Sequence, residues 1–240
     1  MEQVYKIAGL TVKMDSFGRA ESQAIPYLTS DSEYADIIIQ SDWTRWKQLS
    51  KSISDGSCEY LATGDSFYRQ LMKYDGLMIH ASAVVMDNRA YLFSAPCGTG
   101  KSTHTSLWRR VFGDKKVRML NDDKPALRLE QGVWYAYGTP WCGKTGQNAN
   151  LRVPVAGLAM LERGIQNNIV PFKGINAVQA ILSQTTRCET ASERIRQLEL
   201  IDLLMNKIQI WKMQCNMEPE AAIVAYEAMS GEKWRNENET

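Results

Sequence analysis

Long apolar runs, a surplus of charge and paired cysteines are all missing from this sequence of 240 residues. No stretch approaches the roughly 18 apolar residues of a membrane-spanning helix, so we expect no membrane partner. Met1 to Val12 lack the apolar core of a signal peptide, and a cytoplasmic location is therefore expected. The 28 basic and 27 acidic residues give a net charge of +1 and form no basic block. We expect no nucleic-acid partner, because a phosphate backbone binds to clustered cations.

The cysteines are odd in number, scattered along the chain and never spaced as Cys-x-x-Cys. This pattern supports neither a disulfide framework nor a zinc knuckle. Free and mostly buried thiols are the expectation, since free cysteine behaves as a small apolar residue. Cys97 is the exception, because it lies in a glycine-rich loop. The full set is Cys58, Cys97, Cys142, Cys188 and Cys215.

Apolar residues follow strand and helix periods in turn, which predicts an α/β fold with a mixed sheet flanked by helices. Residues 1–62 are predicted as a small β-rich part, and residues 233–240 as a polar tail. The main domain is predicted over residues 63–232, with helices at its C-terminal end. Strands are predicted at 4–12 with a turn near Gly9, 35–40, 78–86, 90–94, 117–120, 127–129, 133–137, 155–161 and 169–172, and helices at 66–74, 103–111, 177–182, 194–211 and 219–229.

A glycine-rich segment between a predicted strand and a predicted helix has the composition of a phosphate-binding loop. We call its residues the cradle: Cys97, Gly98, Thr99, Gly100, Lys101, Ser102 and Thr103. Glycines let backbone N–H groups converge on an anion, and the following helix adds its positive end. Lys101 would neutralise β- and γ-phosphate oxygens and the Ser102 hydroxyl would hold Mg²⁺. An ordinary strand-to-helix turn is the alternative.

The loop departs from the usual pattern at its start, where Ala95 stands in place of the first glycine. Pro96 then fixes its own φ and removes one N–H donor. An anion is therefore expected to be held from Cys97 onward.

Two adjacent carboxylates, Asp122 and Asp123, follow a predicted apolar strand. A carboxylate at such a strand end points toward a phosphate bound at the same edge of the sheet. One could bind Mg²⁺ and the other could accept the proton of an attacking hydroxyl, although a surface turn also explains Asp-Asp. His80 is predicted on the strand paired with the one leading into the cradle, where it is either an active-site group or a structural histidine. His104 is predicted to be a packing or capping residue.

A loop at residues 138–146 is rich in turn-forming residues and contains Lys144, with Arg152 shortly after it. These two cations could close over nucleotide or substrate phosphates. A solvated connector is the equal alternative. Trp141 in this loop is either a stacking platform or a packed aromatic.

With these residues in place, the stretch 79–127 resembles the HPr kinase/phosphorylase-like P-loop family, whose nucleotide fold is shared with phosphoenolpyruvate carboxykinase. The resemblance implies an ATP- and Mg²⁺-dependent kinase, with Lys101 and Ser102 as phosphate and metal ligands and Asp123 as proton acceptor. It also implies that His80 is a neighbour of the reaction and that Asp122 supports metal or substrate. Some of the small members of that family phosphorylate a serine of ribosomally made peptides such as lasso precursors. The expected acceptor is therefore a hydroxyl of a peptide, a protein or a small molecule, and homo-oligomers are expected because relatives often form rings.

Two other functions stay open. HPr kinases carry a metal-binding glutamate signature, whereas residues 138–146 contain no carboxylate. Together with Ala95, this favours a non-catalytic ATP-binding regulatory module as the alternative, and argues against a phosphorylase reaction or HPr as the substrate. A carboxykinase reaction is weaker still, because the chain is short for a separate oxaloacetate domain.

Overall fold

A computed structural model describes residues 3–30, 34–40, 42–49 and 52–235. Residues 236–240 of the predicted tail lie outside the described residues. The strands are β1 (Gln3–Ile7), β2 (Leu10–Met14), β3 (Ile37–Ile39), β4 (Gly76–Met78), β5 (Ala81–Met86), β6 (Arg89–Ser94), β7 (Arg118–Asn121), β8 (Ala126–Glu130), β9 (Val133–Tyr137), β10 (Arg152–Arg163), β11 (Asn168–Pro171) and β12 (Ile210–Cys215). The helices are α1 (Gly18–Ala24), α2 (Thr44–Leu49), α3 (Asp55–Leu71), α4 (Lys101–Phe112), α5 (Gly174–Leu182), α6 (Ala191–Lys207) and α7 (Glu220–Ser230), with short 3-10 helices at Ile25–Tyr27 and Met72–Tyr74.

The N-terminal part is a three-stranded sheet packed against helix α3. Strands β1 and β2 form an antiparallel hairpin, and β3 adds parallel to β2. The hairpin turns at Ala8 and Gly9, both with positive φ, as predicted near Gly9. Helices α1 and α2 were not predicted, because segments of seven and six residues carry little helical periodicity. Helix α3 runs through residue 62, the predicted boundary, and its Phe67 and Leu71 share one apolar core with the small sheet.

The main sheet is mixed and curls around its longest strand, β10. Along the path β4-β8-β9-β10-β6-β5-β7, β10 pairs antiparallel with β9 and parallel with β6, and it also pairs parallel with β12. A register shift between Val155 and Gly157 bends β10, which lets one strand take three partners in succession. This mixed α/β architecture is compatible with a nucleotide-binding fold.

The hairpin that leads into the cradle forms as predicted. Asp87 and Asn88 have φ of 51° and 57°, the left-handed pair that a two-residue hairpin turn requires. The first strand is shorter than predicted, since β4 ends at Met78 and β5 begins only at Ala81. His80 therefore lies just before β5 rather than within it, and its backbone N–H donates to the Gln184 carbonyl instead of to a strand.

Helices cover both faces of the main sheet. On one face α4 and α7 pack through an aromatic cluster that includes Trp108, Phe112 and Tyr226. On the other face α5 and α6 cover the core through residues such as Ile181 and Leu204. In the four described ranges, none of the helices has the length and apolarity needed to cross a bilayer.

The predicted helix at 194–211 is wrong at both ends. Thr190 begins α6 with a reciprocal capping box to Glu193, which moves the start upstream. The helix ends at Lys207, Ile208 is extended, and residues 210–215 form β12 beside β10. β-branched and aromatic residues that gain a strand partner favour the sheet over continued helix, so tertiary pairing decides this segment.

Candidate active site

The cradle comprises the turn after strand β6 and the first residues of helix α4. Gly98 and Gly100 have φ of 77° and 124°, which side chains of other residues rarely tolerate. A Cβ at either position would meet no atom within 4 Å, so glycine is required by backbone conformation and not by crowding. The Thr99 N–H donates to the Pro96 carbonyl at 3.3 Å, which closes the turn just before the helix begins.

Lys101 is buried at the start of α4, and its Nζ donates to the Ala95 carbonyl at 2.9 Å. Burial lowers the pKa of Lys101, and the nearby Asp123, Cys97 and Asp122 oppose that shift only in part. The residue that replaces the usual first glycine thus supplies a backbone acceptor for the lysine. This contact fixes the ammonium group beside the loop.

Arg163, at the end of β10, holds the outer side of the cradle. Its Nη2 donates to the Gly98 carbonyl at 2.5 Å and its Nε to the Thr99 carbonyl at 3.3 Å. In a planar trans peptide the C=O and N–H point in opposite directions. The N–H groups of Thr99 and Gly100 therefore point away from Arg163, and the Thr99 N–H is the one already bonded to Pro96.

Asp122 is buried and connected to helix α4. Its Oδ1 accepts from the Ser82 hydroxyl at 2.7 Å, and the Ser82 hydroxyl lies 2.8 Å from that of Thr105. The carboxylate at the end of β7 is in this way fixed relative to the helix that follows the cradle. Asp122 and Ser102 line the same cavity.

Asp123 lies between His80 and Lys124. Its Oδ1 is 3.2 Å from His80 Nε2 and its Oδ2 is 3.3 Å from Lys124 Nζ. Burial raises the pKa of Asp123, but the His80 hydrogen bond and the Lys124 charge outweigh burial and set it below its usual value. Asp123 is therefore ionised at neutral pH. The His80 Nδ1 faces Gln184 Oε1 at 3.0 Å, which orients the ring.

Asn121 shapes the turn that carries the acidic pair. Its Oδ1 accepts from the N–H groups of Asp123 and Lys124 at 2.9 and 2.7 Å. Its Nδ2 donates to the carbonyl and hydroxyl of Thr139, both at 3.0 Å. One buried amide thus joins the acidic turn to the start of the 138–146 loop.

A cavity of about 580 Å³ brings these groups together. The cradle and the acidic pair contribute to it, and helices α1 and α3 and the 138–146 loop complete it. Its lining includes Arg19, Tyr60, His80, Cys97, Gly98, Gly100, Lys101, Ser102, Thr103, Asp122, Asp123, Lys124, Gly143 and Lys144. A second cavity of about 490 Å³ shares Gly98, Gly100 and Thr103 with the first, and is closed by Leu107, Leu161, Arg163, Asn216 and Met217.

Most of the residues singled out in the sequence meet at these cavities, with Thr99 lining the second. Arg152 does not. It lies on β10, bonded to Glu130 at 2.9 Å and stacked 3.5 Å from the Tyr135 ring. The local strand pairing of β10 with β9 directs this cation to the sheet, and not to the cavity.

Two aromatic residues near the site are packing residues. Trp141 is fully buried and stacked on Phe67 with centroids 4.8 Å apart, so it is no exposed platform. His104 is buried against Phe93 and accepts from Trp108 Nε1 at 3.3 Å. Burial lowers the pKa of His104 to about 3, so it is neutral, and its predicted packing role is confirmed. The predicted buried thiols are confirmed for Cys58, Cys142 and Cys188, while Cys97 is exposed.

Sequence reasoning missed Arg19, Tyr60 and Arg163, which reach the cavities from helices α1 and α3 and from the end of β10. No local pattern marks any of them. It also missed Asn216 and Met217, which follow the unpredicted strand β12. The alternation in Ile208-Gln209-Ile210, directly after a helix-ending lysine, was the available signal.

No family model matches this chain, and no curated protein matches it. Among solved structures, the Hpr(Ser) kinase/phosphatase from Coxiella burnetii is similar over 64% of this chain and 95% of that chain, with 13% sequence identity and a TM-score of 0.36. A likeness at this level assigns neither a fold type nor an activity. Both therefore rest on the residues of the site.

Proposed function

We propose that the protein is a P-loop phosphotransferase that binds ATP with Mg²⁺ and transfers the γ-phosphate to a hydroxyl. One observation carries the proposal: Lys101 of the cradle and the ionised Asp123 line the same cavity. A cation for phosphate oxygens and a carboxylate for a hydroxyl are the two groups that in-line phosphoryl transfer needs within reach of each other. The sequence resemblance over residues 79–127 supports an HPr kinase-like fold type for this domain.

The triphosphate would lie along the cradle, with Lys101 against its β- and γ-oxygens. The N–H of Gly100 and the N-terminus of α4 would contribute to binding the same anion. The second cavity suits the nucleoside, because it begins at the shared residues Gly98 and Thr103 and has apolar walls from Leu107 and Leu161. Two cavities meeting at one loop fit a ligand whose phosphates lie between its base and the acceptor.

The oxygen groups of the site fit Mg²⁺. The described residues hold no group of three or more histidine, cysteine or acidic side chains suited to a metal. Mg²⁺ instead prefers one or two protein oxygens together with phosphate oxygens and water. The Ser102 hydroxyl and the Asp122 carboxylate are such oxygens, and Ser82 keeps Asp122 oriented. When bound, the ion would screen charge on the phosphates.

On the acceptor side, Asp123 would accept a hydrogen bond from the attacking hydroxyl. The hydroxyl oxygen forms a bond to the γ-phosphorus, the bond from that phosphorus to the β–γ bridging oxygen breaks, and ADP leaves. The hydroxyl proton passes to Asp123. A loose transition state needs little help from a strong base, so a carboxylate of lowered pKa suffices to orient the nucleophile. We propose a serine of a peptide or protein as the acceptor.

The experiment combines binding and transfer. Wild type, Lys101→Ala and Asp123→Asn are compared for ATP affinity by calorimetry and for transfer of labelled γ-phosphate to serine peptides and to water. Lys101→Ala should lose ATP affinity. Asp123→Asn should bind ATP nearly as well as wild type but transfer about 10²–10⁴-fold more slowly. Transfer undiminished in both variants would contradict the proposal.

A non-catalytic ATP sensor is the second candidate, favoured by Ala95 and by the lack of a carboxylate in residues 138–146. A sensor needs the cradle but not the base. Asp123→Asn should then leave function in cells intact while Lys101→Ala abolishes it. Equal loss in both variants would exclude the sensor.

A further inference from the structure

Three cations besides Lys101 line the wall of the cavity. They are Arg19 of helix α1, Lys124 after the acidic pair, and Lys144 of the 138–146 loop. The proposed function assigns Lys101 and Asp122 to the nucleotide and its metal ion. Three cations then face a single carboxylate, Asp123, which leaves an excess of two positive charges on this wall.

Tyr60 organises these cations. The Arg19 guanidinium carbon lies 3.9 Å from the Tyr60 ring centroid, and Lys124 Nζ lies 5.1 Å from the same centroid. The Tyr60 hydroxyl accepts from the Gly143 N–H at 2.8 Å, and the Gly143 carbonyl accepts from Gln23 Nε2 at 3.0 Å. Helices α1 and α3 and the loop carrying Lys144 are therefore joined around one ring.

Within the described ranges, no hydrogen bond or ion pair of the Arg19 side chain is found. Its Nε is buried without a hydrogen bond, and among the residues the structure describes no carboxylate lies within ion-pair distance of Arg19 or Lys144. A buried donor without an acceptor is costly, whereas a guanidinium bonded to an oxyanion makes strong paired hydrogen bonds. The wall thus offers donors and positive charge for an anion that the described residues do not supply.

We infer that the phosphate acceptor is an anionic molecule: a carboxylate or phosphate that it carries binds Arg19 and Lys124 over Tyr60, while its hydroxyl faces Asp123. The inference rests on the proposed function, because it places the hydroxyl beside the proposed base. Lys124 bridges the two halves of the subsite, since its Nζ contacts both Asp123 and the Tyr60 ring. Arg19 is in this scheme the residue that selects charged acceptors.

The test uses protein loaded with Mg²⁺ and a non-hydrolysable ATP analogue, titrated by calorimetry with methyl phosphate or with acetate. Loaded wild type should bind at least one probe, Arg19→Gln should bind it about tenfold more weakly, and Arg19→Lys should fall between them. Arg194→Gln, which changes an exposed arginine of helix α6, is the matched control and should bind as wild type. If only methyl phosphate binds, the anionic group of the acceptor is a phosphate. If only acetate binds, that group is a carboxylate.

Three results would overturn the inference: neither probe binds, Arg19→Gln binds the probe as tightly as wild type, or Arg19→Gln weakens the ATP analogue by the same factor. The last result would assign Arg19 to the nucleotide. If wild type fails to bind the analogue, the proposed function itself is contradicted. In that case the same probes are titrated, without nucleotide, into Lys101→Ala and into the double variant Lys101→Ala, Arg19→Gln. Weaker probe binding by the double variant would support the anion subsite independently of the nucleotide, and equal binding would contradict it.

Discussion

The two sides of the active-site cavity are built in opposite ways. The cradle is seven consecutive residues, which run from the loop after one strand into the first turn of the next helix and follow a local hairpin. The acceptor wall, by which we mean Arg19, Tyr60, Lys124, Gly143 and Lys144, joins segments up to 120 positions apart, as in the bond from Gln23 to Gly143. In the proposed function, phosphate binding would depend on local backbone conformation, whereas acceptor selection would depend on how the N-terminal part packs on the main sheet.

The two sides also differ in how many of their buried polar atoms have a hydrogen-bond partner. Around the cradle, Lys101, Asp122 and the carbonyls of Gly98 and Thr99 all have partners, whereas His104 Nδ1 is buried without one. Near the acceptor wall, several buried polar atoms of the described residues have none. They are Ser16 Oγ, Arg19 Nε, Gln23 Oε1, Tyr27 Oη and Glu59 Oε2. Unpaired buried groups are costly, so the acceptor wall is where a ligand or a protonation change should alter stability most.

The largest expected effect is a loss of ATP affinity, and the prediction tests whether the cradle alone determines that affinity. Lys101→Met should weaken ATP binding by about 2–5 kcal/mol, because it removes a buried charge paired with phosphate. Lys144→Met, a lysine on the opposite wall, is the matched control and should change ATP affinity little. Calorimetry of both variants measures the difference. Equal losses would mean that the two sides do not divide the ligands between them.

A second prediction concerns the pH dependence of stability on the acceptor side. Glu59 is fully buried, and burial, followed by the charges of Glu21 and Asp15, raises its pKa to about 7, against the Phe17 N–H that lowers it. The folded protein therefore keeps this proton at pH values where the unfolded chain, with the ordinary value of 4.5, has released it. The stability contribution is fully present below pH 4.5 and is lost as pH rises through about 7.

Glu59→Gln should remove that loss. Relative to wild type, the variant should gain stability between pH 5 and pH 8, by at most about 3 kcal/mol. Urea unfolding across this range measures the gain, with Glu218→Gln on the surface as the control. A constant difference between wild type and Glu59→Gln would show that this carboxyl does not titrate with folding.

The same contrast explains what could be predicted from the sequence. The hairpin turn at Asp87-Asn88 and the cradle both need positive φ values at particular residues. The residue types that adopt such values stand next to one another in the sequence, so both features were predictable. Strand β12 was not, because residues 210–215 become a strand only by pairing with β10. Arg19 and Tyr60 reach the site through the packing of α1 and α3, which no spacing in the sequence reveals. Arg152 illustrates the converse, since a cation near the loop in sequence is bonded to Glu130 instead.

A third prediction tests whether Arg163, which lies outside the cradle, keeps the cradle in the conformation that binds ATP. Arg163→Gln should weaken ATP binding by about 1–2 kcal/mol, because the Gly98 and Thr99 carbonyls lose their charged donor and the loop becomes less ordered. Arg110→Gln, on the exposed side of α4, is the control. Calorimetry decides between the outcomes. Tighter binding in Arg163→Gln would mean that this arginine restrains the loop in a conformation that the nucleotide must change.

The smallest expected effect separates the two roles of Tyr60 in the acceptor wall. Tyr60→Phe removes the acceptor of the Gly143 N–H and should cost about 1 kcal/mol of unfolding free energy, while the ring beneath Arg19 and Lys124 stays. Tyr60→Leu removes the ring as well, and the lost cation–π contacts should weaken methyl phosphate or acetate binding a further few-fold. Urea unfolding and probe titration of both variants measure the two roles. If Phe and Leu weaken probe binding equally, the hydroxyl that fixes the loop matters for the anion, and the ring does not.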